Sequence, residues 1–160
     1  MPQEERIGLV VGCVRTRPGA ELPRRATAGS SGFDLHACLD QPVTLEPGRW
    51  ALIPTGLVLE IPPGFEGAVR ARSGLALRHG LGLLNGPGTI DSDYRGEVGV
   101  LLMNWGTEAV RIQSGDRVAQ LVIQPVPSVE LQWTASASET TRGSGGFGHT
   151  GVERLPGSGS

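Results

Sequence analysis

The 160-residue chain contains no lysine, so all 14 of its basic side chains are arginines. Guanidinium groups suit bidentate contacts with phosphate, although a GC-rich genome explains the same bias. The chain also lacks an excess of positive charge: its net charge is −2, which argues against a nucleic-acid-binding face. No apolar run approaches the ~20 residues of a membrane-spanning helix, and residues 1–6 have no signal-peptide core. We therefore expect a cytoplasmic protein without membrane or direct nucleic-acid partners.

Cysteine is scarce as well, with only Cys13 and Cys38 in the chain. Both lie in apolar surroundings and lack metal-ligand spacing, so the sequence predicts buried free thiols, compatible with a reducing compartment.

Glycine (25 residues) and proline (12 residues) are abundant and leave little room for long helices. Between them lie short aliphatic stretches, which predict strands at 7–14, 50–53, 57–61, 65–72, 97–103 and 117–124. The last two are nearly continuous apolar runs, as expected for strands buried on both faces. One helix is predicted at Ser73–His79, with Ser73 as N-cap and Gly80 as its end. The fold class is all-β: a jelly-roll-like β-barrel or sandwich with one short helix and a flexible C-terminal arm.

The composition changes after Thr134, where the chain becomes small, polar and glycine-rich. Such a segment buries too little apolar surface to fold alone. We predict a β domain at 1–136, a glycine-rich arm at 137–151 and a disordered tail at 152–160. The arm is either dispensable or orders when a ligand binds.

Two segments combine residue types suited to phosphate chemistry. Arg72-Ser73-Gly74 places a guanidinium and a hydroxyl at a helix start, where free N–H groups attract anions; an arginine capping a strand end is the alternative. Residues 88–96 hold two aspartates, a tyrosine and an arginine in a glycine-bounded loop. An aspartate there can orient or deprotonate a water. The alternative is a turn in which Arg95 pairs with the aspartates.

Two further segments carry polar groups in unexpected settings. Gln120 is polar within an apolar run and needs a hydrogen-bond partner, either the backbone or a ligand. Residues 142–151 join glycines to Arg142 and Phe147, which suit phosphate oxygens and a base. A low-complexity linker is the alternative for this segment.

Together these segments resemble the five motifs of the homotrimeric dUTPase family. The matching segments are Ser31–Ala37, Arg72–Ala76, Gly88–Glu97, Gly115–Leu121 and Arg142–Gly151. They run in the family's order from about residue 29 to residue 151. The resemblance implies a jelly-roll homotrimer with active sites between subunits. It also implies hydrolysis of dUTP to dUMP and pyrophosphate with Mg²⁺, which limits uracil in DNA and supplies dUMP for thymidylate synthesis.

The resemblance also implies roles for individual residues. Asp91 activates the attacking water, Tyr94 stacks under the deoxyribose, and Asn85 with its hairpin backbone reads the uracil edge. Asp34 positions Mg²⁺ through its water ligands.

The remaining implied contacts are to the phosphates and the base. The phosphates are held by Arg72, Ser73, Gly74 and Gln120. From the arm, Arg142 pairs with the γ-phosphate, Phe147 lies over the uracil, and Ser144 and Thr150 add phosphate contacts. The chain departs from the family pattern at Phe33, Ala71 and His149, none of which carries the implied chemistry.

Two other functions fit parts of this pattern. The dCTP deaminase family resembles this fold, but it needs a glutamate three residues before an asparagine. Here Leu101 occupies that position, three residues before Asn104. Leucine has no acid–base chemistry, which argues against deamination. A regulatory protein that binds dUTP without turnover is the second alternative, and the intact Asp91 and fifth motif argue against it.

Overall fold

The computed structural model describes residues 8–146, which contain eleven strands and one helix. The elements are β1 (Gly12–Arg15), β2 (Phe33–His36), β3 (Val43–Leu45), β4 (Trp50–Pro54), β5 (Leu57–Glu60), β6 (Phe65–Arg70), α1 (Ser73–His79), β7 (Leu81–Leu83), β8 (Gly88–Ile90), β9 (Gly99–Asn104), β10 (Val110–Ile112) and β11 (Arg117–Pro125). The prediction of a mainly β chain with one short helix is confirmed. All six predicted strands are present with shifted ends, and the other five are three- or four-residue strands.

Tight turns connect these strands because glycines take backbone conformations that other residues rarely adopt. Gly48 and Gly64 each follow a proline and have φ of 72° and 84°. A proline followed by a positive-φ glycine is typical of a type II turn. The Pro-Gly pairs therefore reverse the chain before β4 and before β6.

The strands form antiparallel sheets that enclose an aliphatic core. The sheets have the orders β2-β11-β6-β8, β4-β9-β7, β1-β5 and β10-β3. Fully buried side chains come from the inward faces of several of these sheets, among them Leu35, Ile53, Leu59, Val100, Leu102 and Val118. Burial of such aliphatic side chains is the main favourable term in folding.

Three details differ from the predictions. β9 alternates between buried and half-buried residues, so its second face is not fully covered in the described chain. The N-cap of α1 is Arg72 rather than Ser73, because the carbonyl of Arg72 accepts the N–H groups of Leu75 and Ala76. Cys38 is buried as predicted, but Cys13 is exposed; both are free thiols. The predicted end of the helix at Gly80 is confirmed by its φ of 66°.

The chain divides into two compact units, with the boundary between Ser128 and Val129. The described part of the second unit, 129–146, contains neither helix nor strand. Phe147, His149 and Thr150 lie outside the described residues. The predicted division at 136 and 151 therefore stays a prediction. Between residues 8 and 146, no helix has the length and hydropathy needed to cross a bilayer.

Candidate active site

Asp91 and Tyr94 occupy a short turn directly after β8. The N–H of Tyr94 donates to the carbonyl of Asp91 at 3.2 Å, which closes the turn. The Tyr94 hydroxyl donates to the carbonyl of Glu97 at 3.2 Å. In the described part of the chain, Arg95 donates to the carbonyls of Ser92 (2.7 Å) and Tyr94 (2.8 Å). The alternative in which Arg95 pairs with the aspartates is therefore wrong.

The turn opens onto a cleft of about 270 Å³. Its lining combines four polar residues, two of them from the turn, with a mainly aliphatic wall: Leu52, Thr89, Ile90, Asp91, Tyr94, Glu97, Val98, Gly99 and Leu101. This volume is slightly below the range of about 300–1,000 Å³ that is typical of small-molecule pockets. A cleft of this size suits the base and sugar of a nucleoside.

Asn85 lies in the turn between β7 and β8 that leads to Asp91. β7 pairs with β9 and β8 pairs with β6, so the predicted hairpin is a connection between two sheets; we keep the name hairpin for β7, this turn and β8. The N–H of Leu84 donates to the carbonyl of Leu101 at 2.9 Å, which ties the hairpin to β9. Asn85 is exposed, and a Cβ on Gly88 would lie 3.5 Å from its amide nitrogen. The hairpin thus presents the amide and nearby backbone at the surface.

Trp105 supports the hairpin from outside, a role that the sequence did not predict. Its backbone N–H donates to the carbonyl of Gly80 at 2.9 Å. Its ring lies against Gly82, where an added Cβ would be 2.6 Å from a ring carbon. The preceding residue, Asn104, is fully buried and donates to the carbonyl of Leu45 at 2.8 Å. Glycine at 82 is therefore what permits the aromatic ring to touch the strand.

Asp34 and Arg72 form an ion pair with a third residue, Arg117. One Asp34 carboxylate oxygen lies 3.2 Å from the Arg72 Nε, and the other lies 3.3 Å from a terminal nitrogen of Arg117. Arg72 also donates to the Arg117 carbonyl at 3.0 Å. The Asp34 side chain is 16% exposed, which reduces solvent screening of the pairs. Arg117 lies in the fourth motif but was not predicted as a site residue. Its position at the start of the strand that carries Gln120 could have indicated a place near the site.

Gln120 joins the same group through the sheet register. On β11 it lies opposite Asp34 of β2 and Arg70 of β6. Its amide nitrogen donates to the carbonyl of Ala71 at 2.9 Å, so the backbone supplies the partner that its amide needs. Ser73 and Gly74 follow at the start of α1. We call Asp34, Arg72, Arg117 and Gln120 the guanidinium cluster.

The structure does not bring the guanidinium cluster of a chain to the cleft of the same chain. Ile90, the residue before Asp91, pairs with Gly67 of β6. Arg72 lies five residues further along this extended segment, a distance of roughly 17 Å at about 3.3 Å per residue. Asp91 and Arg72 thus lie towards opposite ends of β6.

In the second unit, Arg142 is held in a local turn. Its Nε donates to the carbonyl of Gly145 at 2.8 Å, and Gly143 has a φ of 54°. Ser144 is exposed.

The donor set of the described residues fits a metal that arrives with its ligand. Between residues 8 and 146, no group of three His, Cys, Asp or Glu side chains is placed to hold an ion. The Asp34 carboxylate already accepts from two guanidinium groups, although each oxygen keeps a further lone pair. These residues suit contacts with metal-bound waters rather than direct coordination.

A mainly β fold of the jelly-roll class carries carboxylate, guanidinium and glycine-rich segments in the order of the dUTPase motifs. The model of the dUTPase family matches residues 19–151. The chain belongs to the dUTPase family.

The relatives agree with this assignment. The chain is 61% identical over 134 residues to deoxyuridine 5′-triphosphate nucleotidohydrolase of Anaeromyxobacter sp. (strain Fw109-5), covering 84% of this chain and 90% of that protein. It is 57% identical over 136 residues to the protein of the same name from Rhizobium leguminosarum bv. trifolii (strain WSM2304), covering 84% and 87%.

Solved structures show the same fold. A Staphylococcus bacteriophage 80alpha dUTPase variant with dUpNHpp has a TM-score of 0.81 and 27% identity, covering 89% of this chain and 99% of that chain. A variant of the dUTPase from phage phi11 of S. aureus, described with a coordinated structural Mg(II) ion, has a TM-score of 0.72 and 25% identity, covering 79% and 97%.

Proposed function

We propose that the protein is a dUTP diphosphatase that hydrolyses dUTP to dUMP and pyrophosphate. The observation that carries this proposal is the cleft in which Asp91 and Tyr94 face the aliphatic wall around Leu101. The family assignment and the names of the relatives support the same reaction. This hydrolysis removes dUTP, the precursor of uracil in DNA, and supplies dUMP.

The hairpin and the cleft select the nucleoside. The Asn85 turn reads the uracil edge through amide and backbone groups. The exocyclic amino group of cytosine would leave these groups without a suitable hydrogen-bond partner. Such mispairing discriminates by roughly 10⁴ or more. The Tyr94 ring lies under the sugar, where it leaves no room for a ribose 2′-hydroxyl.

Asp91 holds and orients the attacking water. A carboxylate near its usual pKa of about 4 is a weak base, so orientation of the water contributes as much as removal of its proton. Cleavage between the α- and β-phosphates then releases dUMP and pyrophosphate. The hydrogen bond from the Tyr94 N–H to the Asp91 carbonyl fixes the position of the water-binding carboxylate relative to the Tyr94 ring.

Arg72, Ser73, Gly74 and Gln120 bind the triphosphate. Arg72 enters this role already ordered by Asp34, and phosphate oxygens compete with that carboxylate for the guanidinium. Asp34 would hold a Mg²⁺ ion bound to the triphosphate through the ion's water ligands, and the ion would neutralise phosphate charge. From the arm, Arg142 pairs with the γ-phosphate, Ser144 and Thr150 contact phosphate oxygens, and Phe147 covers the uracil.

A complete site needs a second copy of the chain, which supports a homo-oligomer; the resemblance to the family implies a homotrimer. The separation of roughly 17 Å along β6 keeps the Arg72 of a chain away from its own Asp91. The cleft adjoins an exposed apolar face of β4, where Trp50 is 56% and Leu52 is 61% exposed. Contiguous exposed apolar patches mark interfaces. A neighbouring copy that covers this face brings its guanidinium cluster to the cleft.

Pyrophosphate release from dUTP, dCTP, dTTP and UTP, measured side by side with Mg²⁺ and with product identification, tests the proposal. We expect release from dUTP alone, with dUMP as the product. Deaminated product from dCTP would contradict the assignment, as Leu101 stands where a deaminase has its glutamate. Tight dUTP binding without turnover would indicate a regulatory binding protein instead.

A further inference from the structure

Glu97 connects the Tyr94 turn to two distant parts of the chain. One of its carboxylate oxygens accepts the N–H of Gly56 at 2.9 Å. The Arg17 Nε lies 3.0 Å from that oxygen and 3.3 Å from the other. The backbone carbonyl of Glu97 accepts the Tyr94 hydroxyl at 3.2 Å. Glu97 is therefore the point at which Arg17, Gly56 and Tyr94 meet.

The Arg17–Glu97 pair is partly shielded and well seated. The two side chains are 37% and 28% exposed, so the pair is less screened than a pair on the open surface. The N–H of Thr16 donates to the carbonyl of Gly56 at 2.8 Å. Gly56 has a φ of 71°, and a Cβ there would be 3.1 Å from the Cβ of Arg17. The backbone around Arg17 thus packs directly against Gly56, which donates to the same Glu97 carboxylate as Arg17.

Arg17 has a second carboxylate neighbour, but that contact is weak. Asp40 lies 3.7 Å from a terminal nitrogen of Arg17 and its side chain is 95% exposed. Exposed pairs of this kind contribute little. Glu97 is therefore the main partner of the Arg17 guanidinium.

We propose that Arg17 is a positioning residue for sugar selection: it holds Glu97, and Glu97 holds the hydroxyl of Tyr94. This inference rests on the proposed function, in which the Tyr94 ring excludes the ribose 2′-hydroxyl. Tyr94 is 44% exposed, so the position of its ring depends on how its hydroxyl is anchored. The Tyr94 ring excludes a single oxygen atom, so a shift of the ring lowers the selectivity for deoxyribose over ribose. Loss of Arg17 leaves the Glu97 carboxylate without its cationic partner and loosens that anchor.

The test compares kcat/KM for dUTP and UTP in Arg17→Met and Arg17→Lys. The ratio of the two substrates is independent of the fraction of active enzyme, so general destabilisation does not move it. We expect Arg17→Met to raise the UTP:dUTP ratio about tenfold, the equivalent of one charge-assisted hydrogen bond. Arg17→Lys keeps the charge and should give a smaller rise. Arg15→Met, at an exposed arginine two residues away, is the matched control and should keep the wild-type ratio.

A double-mutant cycle with Tyr94→Phe tests the route through the hydroxyl. Tyr94→Phe keeps the ring but removes the bond to Glu97, so it should raise the ratio by itself. In that background Arg17→Met, or Arg17→Lys if the methionine variant does not fold, should change the ratio less than about twofold. An unchanged ratio in both Arg17 variants, or equal effects in both backgrounds, would overturn the inference alone. A wild-type protein that does not hydrolyse dUTP would overturn the proposed function as well.

Discussion

The guanidinium cluster and the Asp91 turn are held in different ways. In the cluster, side chains order one another: Asp34 pairs with Arg72 and Arg117, and Gln120 is bonded to backbone. In the turn, backbone bonds set the geometry and the Asp91 side chain stays exposed. The cluster therefore has its charges arranged before an anion arrives, and the turn presents an uncommitted carboxylate for water. Binding and chemistry should accordingly respond to different substitutions.

The largest effect is expected from Asp91→Asn, which keeps the shape of the side chain and removes its charge. Turnover should fall about 10³-fold, within the range of acid–base contributions. Affinity for dUTP with Mg²⁺, measured by calorimetry, should change little because the phosphates are bound elsewhere. Asp93→Asn, at the other aspartate of the turn, is the control and should remain active. Undiminished turnover in Asp91→Asn would remove the proposed role of this carboxylate.

Deletion of residues 141–160 should have the next largest effect. Among residues 8–146, the buried core residues all precede Val129, so circular dichroism and the melting temperature should be unchanged. Turnover should fall about 10²-fold because the Arg142 contact with phosphate is lost. Deletion of 152–160 alone should leave the rate as it is. Equal rates for the full chain and the longer deletion would mean that the segment is a linker.

Arg72→Lys and Arg117→Lys compare the two arginines of the cluster. Lysine keeps the charge but not the planar fork, so Arg72→Lys should raise the KM for dUTP about tenfold. Arg117→Lys should raise it less, since its side chain is 51% exposed and it acts on Asp34. KM values measured at one Mg²⁺ concentration check this order. The reverse order would assign the phosphate contact to Arg117.

The smallest effect is expected from Trp105→Ala, because the ring touches the hairpin from outside. The KM for dUTP should rise about threefold, and dTTP should compete better as the hairpin loosens. Trp105→Phe retains an aromatic ring against Gly82 and should restore most of the difference. Identical inhibition by dTTP in all three proteins would show that Trp105 has no part in base selection.

Much of this fold was predictable from local signals. Pro-Gly turns and aliphatic runs located six strands, and Gly80 gave the end of the helix. Short strands such as β3, β7 and β10 were not predicted, because three residues carry too little periodicity. The Asp34–Arg117 and Arg17–Glu97 pairs join residues 83 and 80 positions apart, and such contacts follow from sheet pairing rather than from local pattern. Trp105 was missed for the same reason, since its partner Gly82 looks like an ordinary strand glycine.

Complementation between two inactive variants tests the central claim that one site combines the Asp91 of one chain with the Arg72 of another. Chains carrying Asp91→Asn and chains carrying Arg72→Ala would be co-refolded in equal amounts, and dUTP turnover would be measured against each variant alone. Random assortment in a closed trimer pairs an intact Asp91 with an intact Arg72 at about a quarter of the sites. We therefore expect recovery of about a quarter of wild-type activity. A mixture no more active than the average of its two components would contradict a site shared between chains.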